Sequence, residues 1–468
     1  MGVEGRSGKT RAVRRDIALS LCLFFLALAI RLANQQASEI GHPIQKDARQ
    51  YFAAAYNVVF YGVYATTMPE KESEPPHPDF RRPPGYPLFL MPFMATSPTS
   101  ELFLTRTTTA QAFLGSFTVL LIFGISRLFM GPAASMAAGA LTALCPHLVA
   151  LDHFILSESL FTVTIVLGVF LLTHSLKRRS PGLSLAAGMV LGFAVLVRPI
   201  AMALGPWLAL VLFAPGQARS RGPERRKAVA QCLCLMAGWL AVYSPYLVLR
   251  NAEATRDFTV SDQSVRHRVV GGMDVGMKSF MRAKTDAGLR RERDAMARDP
   301  WLALEKLKEQ VRKDPLSTLG WYLGGKVLFM WRWNNMYHGG PGGIGDVYHY
   351  PMVRRGFHEN AALGAVHGVM KALHWPLYGL TLLSPVFLFL GHRRGEKKIL
   401  FALPSAMVFL YVAAVLTVLA PMPRYAIPVR PFSYALAVFS LWEIVSLASR
   451  RIGGSRSRDA AGPSPQSG

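Results

Sequence analysis

The chain has 468 residues, of which 51% are hydrophobic and 17% are charged, and its formal net charge is +24. This apolar content excludes an intrinsically disordered chain, because disorder requires low hydrophobicity. The basic residues lie in short runs between apolar segments rather than along one folded surface, so they indicate membrane orientation and predict no nucleic-acid partner. The sequence therefore predicts an all-α membrane protein, a polytopic helical bundle embedded in membrane lipid.

Ten apolar stretches approach the roughly 20 residues that a helix needs to cross about 30 Å of hydrocarbon. They are residues 16–34, 108–129, 132–151, 154–176, 183–197, 200–214, 228–249, 373–391, 399–419 and 425–448. The stretches 183–197 and 200–214 are short for full spans, which favours packing within the bundle. We therefore expect about 10 or more transmembrane helices and two extracytoplasmic loop regions that contain interfacial helices.

Lys and Arg concentrate on one side of this arrangement. If the N terminus is cytoplasmic, most of them fall in cytoplasmic segments, whereas the short loops on the other side hold little beyond Arg198 and Arg424. Cytoplasmic loops of membrane proteins carry such an excess. We predict that both termini are cytoplasmic, that the active site is extracytoplasmic and that the membrane is a bacterial inner (plasma) membrane.

This topology divides the chain into five regions. They are a basic cytoplasmic N terminus (1–15), an N-terminal transmembrane bundle with a catalytic first outer loop (16–249, loop 35–106), a second extracytoplasmic loop region (250–371), C-terminal transmembrane helices (372–449) and a disordered cytoplasmic tail (450–468). Both outer loops are too long for simple connectors, so they are the regions in which to look for function.

The second outer loop contains two Asp-Pro pairs. Asp299-Pro300 precedes apolar residues at helical spacing, which predicts an amphipathic helix on the membrane face. Asp314-Pro315 opens an apolar stretch that ends at Trp333. An eleventh span here would move the basic segment 393–398 outside, so we interpret this stretch as interfacial or re-entrant.

The first outer loop offers a carboxylate and paired arginines. Asp47 follows the first span at the start of a predicted helix, whose N-terminal dipole favours the ionised form. Arg81 and Arg82 precede a rigid Pro-Pro-Gly turn. Such groups suit a substrate with an anionic head and a lipid tail, because Arg binds phosphate with a planar fork. A helix cap for Asp47 and an interfacial anchor for the arginines are the alternative interpretations.

Other charged residues lie near the outer ends of predicted spans. Glu158 is about one turn inside the fourth span, where an unpaired carboxylate is costly. A structural salt bridge to Arg198 or another outer arginine and a contact with substrate both remain open for Glu158. Arg424 and Tyr425 place a cation and an aromatic ring at the start of the last span, and this exception to the charge asymmetry favours an anionic ligand.

Several chemical signatures are absent from the sequence. There is no nucleotide-binding phosphate loop, no zinc-ligand spacing and no nucleophile elbow. No cofactor is therefore assigned, and a divalent metal is left open. The four cysteines fall within predicted spans, where packing is their usual role, so we predict neither a disulfide framework nor a metal site.

The order of these motifs resembles that of the GT-C membrane glycosyltransferases, and within them the protein O-mannosyltransferase and lipid A aminoarabinose transferase superfamily. The resemblance extends from the first span to the last and is most specific between residues 31 and 199. The residues that carry it are Arg31, 47–51, 82–87, Arg106, Ser157-Glu158, 196–199, Pro245, Arg250-Asn251 and 423–425.

This resemblance implies transfer of a sugar from a polyprenyl-phosphate carrier to an acceptor on the outer side of the membrane. The catalytic carboxylate of such enzymes corresponds to Asp47. The basic residue that contacts the carrier phosphate corresponds to Arg82, where the aminoarabinose enzymes have Lys. Those relatives carry Asp-Glu where this chain has Asp47-Ala48, which puts in doubt a mechanism that needs two carboxylates at this motif.

The sequence-based hypothesis is an inverting glycosyltransferase, of hexosyl or pentosyl type, that uses a polyprenyl-phosphate-linked sugar donor. Asp47 would act as the base, and the carrier and sugar would contact Arg82, Arg81, Arg49, Tyr51, Glu158, Arg198, Arg424 and Tyr425. The acceptor is an unidentified glycan, lipid or protein. A lipid-linked sugar flippase or transporter and a glycan polymerase or ligase are the alternatives.

Overall fold

The computed structural model describes residues 3–71, 74–79, 82–97, 99–213, 223–254, 266–278, 282–283, 285–333, 353–355 and 360–459. Helices dominate this part of the chain. In chain order they are α1 (Val3–Ala37), α2 (Asp47–Tyr61), α3 (Gly85–Thr96), α4 (Ser100–Ser126), α5 (Pro132–Ala143), α6 (Pro146–Leu151), α7 (Glu158–Arg178), α8 (Pro181–Val197), α9 (Leu204–Ala209), α10 (Pro223–Ala254), α11 (Ala287–Arg298), α12 (Pro300–Lys313), α13 (Pro315–Gly320), α14 (Lys326–Met330), α15 (Ala361–Arg393), α16 (Ile399–Val418) and α17 (Arg430–Asp459).

Seven helices within the described residues are long and apolar enough to cross a bilayer. These candidate spans are Thr10–Ala37, Ser100–Ser126, Glu158–Arg178, Glu224–Leu249, Ala361–Arg393, Ile399–Val418 and Pro423–Ser449. They confirm a polytopic helical membrane protein. Three of the ten predicted spans, 132–151, 183–197 and 200–214, are not among them, and the predicted number is not confirmed.

The predicted span 132–151 is divided into two helices. α5 ends at Ala143, Cys145 is extended, and α6 begins at Pro146. Proline is favourable at the first helical position, so Pro146 starts a new helix inside an otherwise continuous apolar stretch. The 12 residues of α5 are too few to cross about 30 Å of hydrocarbon at 1.5 Å per residue.

The short helices around residues 181–213 pack against the bundle on one side, but the predicted packing within the bundle is incomplete, because Leu185, Met202 and Leu210 are 39%, 46% and 55% exposed. α8 and α10 approach so closely that a Cβ atom on Gly188 would lie 2.0 Å from the carbonyl oxygen of Leu235, and one on Gly238 would lie 2.3 Å from that of Leu185. Small residues allow this approach between membrane helices. The segment after α8 is irregular, with 3-10 turns at Pro199–Ala201 and Leu210–Phe213 on either side of α9.

The loops after α1 and before α15 lie at one end of the bundle, which we call the loop face. A two-stranded antiparallel sheet joins them, in which β1 (Glu39–Ile40) pairs with β2 (Val353–Arg355). A helix follows Asp299 as predicted and is α12, at whose start the Asp299 side chain accepts a hydrogen bond from the Trp301 amide. Its position on the membrane face stays a prediction. The stretch before Trp333 forms α13, a π-helical segment at Trp321–Gly325 and α14.

The other end of the bundle is held by ion pairs between neighbouring helices. Arg127 pairs with Asp16, and Lys398 pairs with Glu443. α17 continues to Asp459, beyond the start of the segment predicted to be disordered at residue 450, and residues 460–468 lie outside the described part.

Candidate functional site

Asp47 lies between two arginines at the loop face. It begins α2 directly after Lys46, whose φ of 46° lies in the left-handed region that a residue with a Cβ rarely adopts. Its Oδ1 accepts a hydrogen bond from Arg82 Nη2 at 2.6 Å, and its Oδ2 accepts one from Arg424 Nη2 at 2.8 Å. A cap for α2 alone would not require these two contacts.

The two guanidinium groups keep Asp47 ionised. Burial alone would raise the pKa of its carboxyl, but the charges and hydrogen bonds of Arg424 and Arg82 hold that pKa well below its usual range. The stability that Asp47 contributes is therefore present above its unfolded pKa of about 3.9. It is lost as the pH falls through the lower folded pKa.

Arg82 is positioned by side chains of the same loop. Its Nε donates to Gln50 Oε1 at 2.6 Å, and its Cζ lies 5.3 Å from the centre of the Tyr51 ring. Tyr64 donates its hydroxyl hydrogen to the Arg82 carbonyl oxygen at 2.8 Å. These contacts fix both the backbone and the fork of Arg82, so the guanidinium group is pre-oriented for a ligand.

Gly85 lets the segment after Arg82 approach α8. A Cβ on Gly85 would lie 2.7 Å from the carbonyl carbon and oxygen of Leu196, near the end of α8. That helix ends at Val197, and Arg198 is extended (φ −147°, ψ 123°), as is usual for a residue before proline. The approach at Gly85 therefore brings the first outer loop beside Arg198.

We expect Gly85→Ala to lower both stability and activity, because the added Cβ must displace backbone atoms of α8. Such overpacking typically costs about 1–3 kcal/mol. Thermal unfolding and donor consumption of the purified protein measure the two effects. Gly131→Ala is the matched control, since a Cβ there would meet nothing within 4 Å. Equal behaviour of the two variants would contradict the role given to Gly85.

Glu158 is the second carboxylate of the site. It is the first residue of α7 and is 1% exposed. Its Oε1 lies 2.6 Å from Arg198 Nη1 and 3.0 Å from Arg424 Nε. Arg424 therefore bridges Asp47 and Glu158, and the salt bridge between Glu158 and Arg198 is present. This geometry also leaves Glu158 at the wall of the site, where contact with substrate is possible.

The Tyr425 ring lies among three guanidinium groups. Its centre is 5.1 Å from Arg198 Cζ, 5.8 Å from Arg268 Cζ and 5.9 Å from Arg424 Cζ. The face of an aromatic ring attracts cations, which lowers the cost of collecting like charges. Arg268 is exposed and forms no ion pair with a carboxylate in the part of the chain that the structure describes.

These charged groups line a cavity of about 400 Å³. Its wall also contains apolar residues, namely Val197, Ile200, Met202, Ala203, Val415 and Leu419. Met202 is 46% exposed, so this apolar part of the wall reaches the surface of the bundle. A cavity that combines charged and apolar groups suits an amphiphile that has an anionic head and a hydrocarbon tail.

The charge of the cavity favours an anionic head. Among the described residues, four arginines and two carboxylates line it, which leaves a surplus of two positive charges. Arg82 and Arg424 already pair with Asp47, so a phosphate would bind partly by exchanging with that carboxylate. Guanidinium groups suit this exchange because their N–H groups can contact two oxygens at once.

Most of the residues proposed from the sequence come together here. Asp47, Tyr51, Arg82, Glu158, Arg198, Arg424 and Tyr425 all line the cavity. Arg49 is exposed and is not part of its wall, and Arg81 lies outside the described residues. Sequence reasoning missed Gln50 and Arg268. Gln50 lies within the recognised motif 47–51, whereas Arg268 follows a segment without any periodic signal.

The described residues include no group of three or more His, Cys, Asp or Glu side chains that could hold a metal ion. Asp47 and Glu158, the carboxylates of the cavity, are both engaged with arginines. The described cavity thus offers four guanidinium groups and two carboxylates beside apolar side chains.

The helical bundle and its cavity define a polytopic membrane protein with a cavity of charged and apolar residues at the loop face. Residues 82–248 match the family model described as dolichyl-phosphate-mannose-protein mannosyltransferase. Arg82, the first residue of this match, lies in the site, and the match also includes Glu158 and Arg198. No curated protein matches the chain.

Solved structures show the same fold class. The oligosaccharyltransferase of Archaeoglobus fulgidus in its apo form is 12% identical, with a TM-score of 0.50 over 94% of this chain and 52% of that one. The enzyme AglB of this archaeon, in complex with an inhibitory peptide and a dolichol-phosphate, is 13% identical, with a TM-score of 0.47, and 97% of this chain and 52% of that chain are covered.

ArnT of Cupriavidus metallidurans bound to undecaprenyl phosphate is 13% identical, with a TM-score of 0.35 over 92% of this chain and 77% of that one. The chain spans about half the length of the archaeal enzymes. The family match and the fold confirm the resemblance to the GT-C membrane glycosyltransferases. The chain is a membrane protein similar to glycosyltransferases that use lipid-linked donors.

Proposed function

We propose that the protein transfers a sugar from a polyprenyl-phosphate carrier to an acceptor hydroxyl at the extracytoplasmic face of the membrane, with inversion at the anomeric carbon. One observation supports this most directly. Asp47 lies between Arg82 and Arg424 in a cavity whose wall also contains apolar residues, of which Met202 is exposed at the bundle surface. The cavity thus combines a base, cations for a phosphate and a channel for a lipid tail.

These groups have separate roles in the proposed reaction. The acceptor oxygen attacks the anomeric carbon, and the bond from that carbon to the phosphate oxygen breaks. The carrier phosphate leaves with the bonding electron pair, and Arg82, Arg424 and Arg268 stabilise its increased negative charge. The acceptor proton passes to Asp47. No nucleotide takes part in this reaction, in agreement with the absence of a nucleotide-binding phosphate loop in the sequence.

Donor binding would also make Asp47 a better base. While Arg82 and Arg424 pair with Asp47, its pKa is well below the usual range, and such a carboxylate accepts protons poorly. A donor phosphate draws the two guanidinium groups toward itself and so removes part of the cause of the low pKa. The carboxylate then gains basicity only when the donor is in place.

This coupling predicts a difference between two pH profiles. The acidic limb of kcat/KM reports the free enzyme, and that of kcat reports the enzyme with donor bound. We expect the limb of kcat to lie at higher pH, because the pKa of Asp47 rises when phosphate competes for its arginines. Steady-state rates measured from pH 4 to pH 8 test this, because kcat should fall toward pH 4 whereas kcat/KM should stay level over the same range. Coincident limbs would show that Asp47 keeps its arginines during turnover.

The decisive experiment separates transfer from transport. Purified protein in lipid nanodiscs receives a panel of polyprenyl-phosphate sugars together with a membrane extract as the source of acceptors. A transferase releases free polyprenyl phosphate, whereas a flippase leaves every donor intact. A polymerase or ligase would instead consume pyrophosphate-linked oligosaccharides. Intact donors throughout the panel would overturn the proposed function.

A further inference from the structure

A second cavity lies beside the first. Its volume is about 380 Å³, within the usual range for ligand pockets. Its wall is formed by residues of α11, of α12, of the segments 266–273 and 321–325 and of the end of α16, and most of them are apolar. They include Val270, Met273, Met296, Ala303, Leu307 and Val418. Arg266 is the charged residue of this wall within the described part of the chain, and no carboxylate contributes to it.

The two cavities share a thin wall. Arg268 lines the first cavity, whereas Arg266, Val269 and Val270 line the second. On the other side of this wall, at the C-terminal end of α16, Leu419 lines the first cavity and Val418 lines the second. Neighbouring residues of two segments thus face different cavities. A molecule seated in the second cavity would have its exposed end next to Arg268 and Tyr425, at the entrance to the charged site.

The surroundings of the second cavity indicate an interfacial position. Trp301 on α12 is 75% exposed, and Leu316 and Leu323 on the following helices are 84% and 81% exposed. Exposed aromatic and aliphatic side chains on an amphipathic helix are typical of segments that lie in the headgroup region of a membrane. A lipid in the adjacent leaflet would present its chain and its head at this depth.

A peptide fits this cavity less well than a hydrocarbon chain. Extended peptides are held mainly by main-chain hydrogen bonds and helical ones by long grooves. The polar side chains in this wall are Arg266, Tyr322 and Thr417. Thr417 also uses its hydroxyl to donate to the carbonyl oxygen of Ala413. The wall therefore has few groups that can hydrogen-bond to a peptide backbone, whereas its apolar side chains can pack against methylene groups.

Resting on the function proposed above, we infer that the acceptor is a lipid: the second cavity holds one of its hydrocarbon chains, and its hydroxyl-bearing head extends past Arg268 to Asp47. Each cavity then takes one amphiphile, the donor in the first and the acceptor in the second. The shared wall keeps the two chains apart while the two heads meet.

Ala303→Trp tests this inference by filling the cavity, and Leu323→Trp is the matched control on an exposed surface. The binding probe is palmitic acid with a photoreactive diazirine at mid-chain, added to the protein in phosphatidylcholine nanodiscs. We expect the probe to label Met273 and Met296 in the native protein and in the control. Labelling of these residues should fall at least tenfold in Ala303→Trp.

Activity is measured on the same preparations with the donor that the native protein consumes. In Ala303→Trp, the rate of transfer to extracted membrane lipids should fall at least tenfold. The slow hydrolysis of donor without acceptor should stay unchanged, which shows that the variant is folded. Undiminished lipid transfer in Ala303→Trp, or transfer to peptides in place of lipids, would overturn the inference. If the native protein consumes no donor but is still labelled in the cavity, the proposed function fails instead.

Discussion

Replacing Asp47 with Asn is expected to reduce sugar transfer by roughly 10²- to 10⁴-fold, the usual contribution of a general base. The amide has the shape of the carboxylate but cannot take the acceptor proton. The donor should still bind, and its Kd should not increase, because Asp47 no longer competes with phosphate for Arg82 and Arg424. Release of polyprenyl phosphate and donor binding by the same purified variant measure the two effects.

Glu74→Gln is the matched control for this substitution. Glu74 lies in the same loop, its side chain is 67% exposed, and it pairs only with Lys71 in the contacts that the structure describes. We expect transfer by the control to equal that of the native protein. Native transfer rates in Asp47→Asn would assign the base to another group, for which Glu158 is the nearest candidate. Weaker donor binding in Asp47→Asn would instead make Asp47 a binding residue.

The site was predictable from the sequence because membrane topology collects its residues. Asp47 and Arg82 lie in the first predicted outer loop, and Glu158, Arg198 and Arg424 lie near the outer ends of predicted spans. Every second connection between spans lies on the same side of the membrane, so these residues are expected at a similar depth in it. Hydropathy therefore predicts their depth, and the free-energy cost of burying an unpaired charge predicts that they form ion pairs.

Other features depend on contacts that no local pattern encodes. Hydropathy does not distinguish one apolar helix from two, so the break between α5 and α6 was missed although Pro146 marks it. Arg268 reaches the site because residues 266–271 pack against the end of α16, where Gly272 lies close to Ala420. The second cavity arises from the same packing. Both features are tertiary, and periodicity along one segment cannot reveal them.

The ring of interactions around Arg424 explains why the two outer loops act as one site. Arg424 contacts Asp47 from the first loop and Glu158 from α7, and Tyr425 contacts Arg268 from the second loop. Lys326 supports this segment from α14, since its Nζ donates to the carbonyl oxygen of Thr417 at 2.7 Å. These contacts converge on residues 417–425, which lie between the two cavities.

Replacing Arg82 with Ala is expected to lower kcat/KM by roughly 10²- to 10³-fold, the range found when one preorganised donor to a developing negative charge is removed. KM for the donor should rise as well, because Arg82 also contacts the phosphate before reaction. Arg82→Lys should recover part of the loss, since it keeps the charge but not the planar fork that Gln50 and Asp47 hold.

Arg291→Met controls for the loss of one positive charge, because Arg291 is an exposed residue of α11. Steady-state kinetics with the consumed donor measure all three variants. If Arg82→Ala and Arg291→Met behave alike, the carrier phosphate binds elsewhere, and Arg198, Arg268 and Arg424 become the groups to replace.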